Sequence, residues 1–338
     1  MSWKEKRLIT ILSIILAVLC AAVLLVLSVR YRTAQAAKAE NSQTSASDIA
    51  QAAQSDYITL SYQNGTTQLS FALNEDGAWY WESEPDFPLN DETVQSILAL
   101  LKALKPQQTL DLPEDLSAYG LEDPQISMTA TTPDGTALTV SMGNTTTDGN
   151  SYYAAISSDP KHIFIIANTL YLAMQKPIYE MCVLPELPQL TEDAMTSIEI
   201  EGPSNEDGTR PATVLTAAAS DGGDVSWRSG GANVTDAAEV RALMEDLSAL
   251  RVSQCVDFKP SDDAASFCGF DDPSVLTVNY KTASGAAETF VLYIGKQNMD
   301  GTGRYVRFDE DSAIYLMELS YLDPLMRLAY QGLEGSAD

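Results

Sequence analysis

The pentapeptide GLEDP at residues 120–124 returns as GFDDP at residues 269–273. It is the visible part of a longer internal duplication, which restricts the chain to architectures built from two like units. Displacing the sequence by 146 residues lays Gly77 on Gly223, Trp81 on Trp227, Val94 on Val240, and Leu101 and Leu104 on Leu247 and Leu250. LKALKPQQTLDL then falls over LSALRVSQCVDF. A three-residue insertion aligns the pentapeptides, and two further short gaps bring Gly143 onto Gly295, so that MGNTTTDGNSYY matches IGKQNMDGTGRY. Asp148-Gly149 meets Asp300-Gly301, Tyr153 meets Tyr305, and Tyr171-Leu172 meets Tyr321-Leu322.

Each copy carries the same local pattern. Short alternating segments predict strands: YITLSY, QLSFAL and AWYWE in the first copy, SIEIEG, TVLTAAA and DVSWRS in the second. A helix follows. In the first copy Asn90 or Asp91 is positioned to cap it, and Val94, Ile97, Leu98, Leu101 and Leu104 form an apolar stripe closed by Pro106. In the second, Asp236 is the expected cap ahead of Val240, Leu243, Met244, Leu247 and Leu250. Four more strands are expected per copy: ISMTATT, ALTVSM, SYYAAI and HIFIIA, then VLTVNYK, TFVLYI, RYVRF and AIYLME. Turns at Pro133-Asp134-Gly135 and Ser284-Gly285 separate the first two of each set. A closing helix is predicted over residues 169–182 and 319–330, with Pro185 and Pro188 marking the boundary between copies. Runs of strands with helices laid against them indicate an α+β fold with largely antiparallel sheets, used twice.

The pentapeptide reads as a turn. Glycine permits positive φ, proline keeps its predecessor extended, Asp123 and Asp272 can accept from nearby backbone amides, and Leu121 or Phe270 would plug the core. Glu122, Asp123, Asp271 and Asp272 also pair carboxylates that could hold calcium or act as acid and base. Calcium loops alternate their ligands, however, and acid–base pairs face each other across a cleft rather than along the chain.

Other candidates for chemistry are sparse. His162 is the one histidine, at the start of a predicted strand, which leaves no histidine triad or histidine-rich metal site. The loops at 144–149 and 298–301 end in Asp-Gly but lack the calcium-loop pattern, since Lys296 stands at the first acid position of one and Ala155 at the closing glutamate of the other. Trp79, Trp81, Trp227, Tyr152, Tyr153 and Tyr305 alternate with polar residues, and core packing is the expected role. Cys182, Cys255 and Cys268 are odd in number. Cys255 and Cys268 could bridge, although Thr109 and Tyr119 occupy the matching places in the first copy. No catalytic, cofactor-binding or metal-ligating residue is assigned, no cofactor is expected, and the chain is read as a non-enzyme.

In combination, the two G-[LF]-[DE]-D-P segments, the strand–hairpin–strand after each, the [LI]-G-x5-G turn, the tyrosine and the closing strand resemble the domain-of-unknown-function 4340 family. Met142-Gly143 departs from the more typical Ile294-Gly295. The resemblance spans nearly everything after Asp56. It implies a bacterial membrane-anchored envelope protein of the kind often encoded beside gliding-type ABC-transporter subunits, with no catalytic residues to carry over.

Ahead of the copies, residues 8–29 contain 22 residues without a charge. As a helix this run would extend about 33 Å, enough to cross a hydrocarbon core of roughly 30 Å. It is longer than a signal-peptide core, and Cys20 within it reads as a buried thiol. The basic residues flanking it tie across the two sides. The chain as a whole carries −27, and residues 1–29 carry +2, so residues 30–338 carry −29. Such a charge favours the outside of a membrane that is negative inside and excludes nucleic-acid binding.

The expected layout is an anchor at 1–32, a tether at 33–55, a first domain at 56–184, a linker at 185–194, a second domain at 195–331 and a disordered tail at 332–338. The expected protein is single-pass, with its N-terminus cytoplasmic and its domains extracytoplasmic. It would serve as a scaffold or accessory partner-binding module for integral-membrane transporter subunits. The alternative is a cell-wall glycan or peptide binding or hydrolytic module that uses carboxylates and aromatics near an inter-domain groove; cation buffering by the acidic surface is a third.

Overall fold

A computed structural model describes residues 56–219, 225–309 and 311–333. The expected anchor, the tether and residues 334–338 of the expected tail lie outside it. The described chain forms two compact units, one of residues 56–85 and 91–176 and one of residues 86–90 and 177–333. The division falls between Lys176 and Pro177, ahead of the 185–194 stretch read as a linker. Leu333 is buried, so packed structure continues beyond residue 331.

The first unit contains β1 (Thr59–Asn64), β2 (Gln68–Leu73), β3 (Trp79–Trp81), α1 (Asp91–Lys102), β4 (Gln108–Asp111), β5 (Ile126–Thr131), β6 (Ala137–Thr145), β7 (Ser151–Ile156), β8 (His162–Ala167) and α2 (Thr169–Met174). The second contains β9 (Met195–Glu201), β10 (Ala212–Ala219), β11 (Val225–Ser229), β12 (Ala232–Asn233), α3 (Ala238–Ala249), β13 (Gln254–Asp257), α4 (Asp262–Phe267), β14 (Ser274–Lys281), β15 (Ala287–Gln297), β16 (Gly303–Phe308), β17 (Asp311–Glu318) and α5 (Leu319–Gln331).

The strand orders are β3-β2-β1-β5-β6-β7-β8-β4 and β12-β11-β10-β9-β14-β15-β16-β17-β13. They are one topology with β12 added to the second, as duplication requires. Pairing is antiparallel throughout, for example Leu60 with Phe71 and Ala130, and Ile198 with Leu215 and Val278. Each sheet turns one apolar face to its helices. Leu60, Tyr62, Phe71, Met128, Val140 and Ile156 are buried in the first unit together with Val94, Ile97, Leu98 and Leu101 of α1. Ile198, Ile200, Leu276, Leu292 and Val306 are buried in the second with Val240, Leu243 and Leu247 of α3 and Leu322, Leu325 and Leu328 of α5. At about 1.5–3 kcal/mol per fully buried large apolar side chain, these faces drive the folding of each unit. Thr213, buried in the second, satisfies its hydroxyl on the Leu328 carbonyl at 2.7 Å.

The structure corrects several expectations. Strands β4 and β13 were not foreseen. They pair along β8 and β17 and close one edge of each sheet with four residues apiece; β3 and β12 close the other with three and two. Edges this short offer little to a pairing partner. The first closing helix is not continuous over 169–182. It stops at Met174 and resumes as a 3-10 turn, Ile178–Met181, because Pro177 cannot continue it. Asp236 does not cap α3, whose N-cap position is Ala237 without a side-chain cap. Asp91 receives the Trp79 amide at 3.2 Å, and the Trp227 amide goes to Thr235 Oγ1 at 2.8 Å. Trp79 and Trp227 are both buried, whereas Trp81 is only half-buried. The structural counterpart of Trp227 is therefore Trp79, two residues from the sequence alignment.

The repeated pentapeptide ends a helical turn. A 3-10 turn, Ser117–Tyr119, precedes Gly120, and α4 precedes Gly269; both glycines have positive φ, 69° and 92°. The Leu121 amide reaches back to the Leu116 carbonyl and the Phe270 amide to the Ala265 carbonyl, each at 3.0 Å, the long hydrogen bond of a Schellman cap. The carbonyl just before the glycine then lies against a glycine of the next hairpin. A Cβ on Gly143 would stand 2.1 Å from the Tyr119 oxygen, and one on Gly295 would stand 2.3 Å from the Cys268 oxygen. β6 and β15 are bulged at these glycines. Leu121 is the expected plug; Phe270 is half-buried instead, with the Arg307 guanidinium over its ring at 5.4 Å.

The two aspartates differ from expectation and from each other. Asp123 accepts only from the Gln125 side chain among its described contacts, at 3.2 Å. Asp272 accepts the amide of distant Ser204 at 2.8 Å and pairs with Arg210, whose guanidinium also donates to the Pro273 carbonyl.

Two consequences are measurable by urea unfolding. Gly143→Ala and Gly295→Ala should each cost about 2–3 kcal/mol through forced overpacking. Gly77→Ala, at positive φ with open space around it, should cost about 1 kcal/mol; equal costs at all three positions would mean the crossings are not tight. Asp272→Asn should destabilise by about 1 kcal/mol and Asp123→Asn by under about 0.5 kcal/mol. The reverse order would contradict the Arg210 clamp.

Candidate functional site

The acidic candidates are largely engaged by local structure. Asp271 accepts the Ser266 hydroxyl and Asp272 is held by Ser204 and Arg210, while Glu122 and Asp123 are exposed. In the Asp-Gly loops, Asp148 accepts the Thr146 hydroxyl at 2.6 Å and the Asn150 amide at 3.2 Å, and Asp300 accepts the Thr302 hydroxyl at 2.7 Å and its amide at 3.2 Å. These bonds, the threonine hydroxyl first, hold both carboxyls below the usual aspartate range. The carboxylates are hairpin-tip acceptors, and no group of three or more metal-ligating side chains assembles among the described residues.

His162 opens β8, buried, with Nδ1 2.9 Å from the Asp159 carboxylate. Tyr152 packs against Tyr171 with ring centres 4.8 Å apart, and Tyr153 meets Tyr119 edge-on at 4.9 Å. The aromatics expected in the core are thus divided: Trp79, Trp227 and Tyr152 are buried, whereas Trp81, Tyr153 and Tyr305 are half-buried.

The densest cluster of reactive groups lies in the second unit and was missed in the sequence. The backbone of Cys182 bridges to Leu89, and its thiol is 3.3 Å from the Val183 carbonyl. The 3-10 turn just before it packs on β13, which carries Cys255 opposite Tyr315. All three thiols are buried and free, and Cys182 directly follows the turn that packs on the strand carrying Cys255. Around them, Tyr179 Oη donates to Asp257 at 3.4 Å and Tyr315 Oη donates to Asp311 at 2.6 Å. A cleft of about 290 Å³ opens beside Asp311, between residues 185–188 and the side chains of Phe290 and Phe308. Pro177 was the available signal, since a helix broken there releases Cys182 from the helical register expected for it.

The bond to Cys182 and burial push the Cys255 thiol up, and the same bond brings Cys182 down. Burial first, then the Asp311 carboxylate, raises the Tyr315 phenol. In the first unit burial does the same to Tyr62, whose hydroxyl has no partner among the described residues. Cys255 and Tyr315 are thereby held in their neutral forms.

A family model described as "Domain of unknown function (DUF4340)" matches residues 79–266 and again residues 227–329. The two matches begin at Trp79 and Trp227, the pair equated by burial and backbone bonding. No curated protein and no solved structure matches the chain.

The raised groups set a pH window. Unfolded thiols titrate near about 8.5 and phenols near about 10. Groups raised in the fold contribute stability that is complete below those values and declines as pH rises beyond them. Urea midpoints should be level from about pH 6 to 8 and fall above about pH 9. Tyr62→Phe should lose none of the midpoint at pH 7 and should flatten the alkaline fall; a midpoint unchanged to about pH 11 in the parent chain would contradict the assignment.

Proposed function

The chain belongs to the domain-of-unknown-function 4340 family, and from that premise we propose that it is a single-pass, membrane-anchored extracytoplasmic protein whose two domains form a non-enzymatic accessory to an integral-membrane complex of the ABC-transporter type. The anchor in this reading is the uncharged run 8–29, which lies outside the described residues; among those described, no helix is long and apolar enough to cross a membrane. The strong negative charge of the remainder favours the outer side.

One observation carries the partner-binding part of the proposal. At the equivalent end of the two units the surfaces have diverged. The first copy has Ala118 and Thr147, and the second has Phe267 and Met299, which are 63% and 91% exposed. Both flank the crossing where the Lys296 amide bonds the Cys268 carbonyl at 2.8 Å. Large apolar side chains exposed on the helix end and the hairpin tip on either side of this crossing suit contact with another protein. Of the paired carboxylates, Asp271 and Asp272 are engaged by Ser266, Ser204 and Arg210, whereas Glu122 and Asp123 are exposed.

Full-length chain should sediment with membranes and keep its C-terminal part accessible to protease added outside intact spheroplasts. A photoreactive amino acid at 267 or 299 should give a cross-link to an integral-membrane protein, and one at 118 or 147 should not. Protection of the C-terminal part from external protease would remove the topology, and equal cross-linking at all four positions would remove the binding end.

A further inference from the structure

We propose that Cys182 and Cys255 are a dithiol site that closes to an intramolecular disulfide by exchange with a small disulfide or a disulfide-carrying oxidoreductase, fastening residues 177–184 to the edge strand β13. Neither thiol is used by the turns or by the proposed binding end, and the inference does not depend on that function. The two segments are already apposed. The turn Ile178–Met181 packs on β13, and Tyr179 Oη, three residues before Cys182, reaches Asp257, two residues past Cys255; Cys182 is the first cause of the raised Cys255 thiol. Cys268, the other candidate, follows α4, and its carbonyl is held by the Lys296 amide at 2.8 Å.

The order of events is set by position. Cys255 is fully buried in the sheet edge, whereas Cys182 lies outside the regular strands beside Val183, which is 52% exposed. The Cys182 thiolate attacks one sulfur of the incoming disulfide, forms a mixed disulfide and expels one thiolate. Cys255, losing its proton, then attacks Cys182 Sγ and expels the second. The protein dithiol is oxidised by two electrons, the incoming disulfide is reduced to two thiols, and the two protons leave with those thiols. An oxidising compartment would keep the bond closed and a reducing one would keep it open.

The test uses the full chain, purified reduced in detergent and incubated under native conditions with oxidised glutathione. After acid quench it is unfolded, alkylated and mapped by mass spectrometry. The chain should lose two of its four alkylatable thiols and about 2 Da, with a peptide linked through Cys182 and Cys255, while Cys20 and Cys268 remain alkylated. Cys268→Ser should form the same bond, and Cys255→Ser should trap one glutathione on Cys182. Four thiols still alkylated in the parent chain, or a link between Cys255 and Cys268, would overturn the proposal whatever the variants do.

Discussion

The structure depends on a place where two backbones touch. In each unit the carbonyl just before the pentapeptide glycine lies where a Cβ on the hairpin glycine would have to be, at Tyr119 against Gly143 and at Cys268 against Gly295. Contact this close is available only to glycine, and it joins the connection leaving the sheet edge to the sheet's interior strands. The Schellman cap fixes the first partner and the bulge fixes the second. Around that crossing Leu121 turns into the core, Phe270 stays half-buried under the Arg307 guanidinium, and each proline leads into the next strand.

On this common frame the copies have spent their side chains differently. Tyr152 joins the first sheet to its closing helix through Tyr171; at the matching place Arg304 pairs with Asp323 at 3.2 Å. Asp123 stays local while Asp272 recruits Arg210. Phe267 and Met299 replace Ala118 and Thr147 on the surface, and only the second unit carries the thiol pair. Divergence of this kind leaves one copy to supply architecture and the other to add contacts, which is the physical basis of the proposed accessory role.

Much of the fold was legible because its signals are local. Period-two alternation located the long strands, the three-and-four stripe located α1 and α3, and the duplication required both sheets to share one order. What was missed depends on contacts distant in sequence. β4 and β13 are four-residue segments whose pairing is made by strands that come later in the chain. The exchange of Trp81 for Trp79 as the partner of Trp227 arises because the second copy is two residues shorter between this strand and its helix: Trp79 lies 15 residues before Val94, whereas Trp227 lies 13 before Val240. Cys182 was hidden because its segment has a helical pattern, and Pro177 breaks it. Asp148 and Asp300 were legible as hairpin-tip residues, whereas the partners of Asp272, Ser204 and Arg210, are distant in sequence. The expected anchor and tether lie outside the described residues.

Amide hydrogen exchange at Lys296 tests the central crossing most directly, since its N–H donates to the Cys268 carbonyl across the two backbones. In the native protein this amide should exchange only through unfolding of the second unit, as slowly as Leu292 in the middle of β15 and far more slowly than Met299 at the hairpin tip. Exchange at Lys296 as fast as at Met299 would show that the backbones are not locked together and would contradict the account.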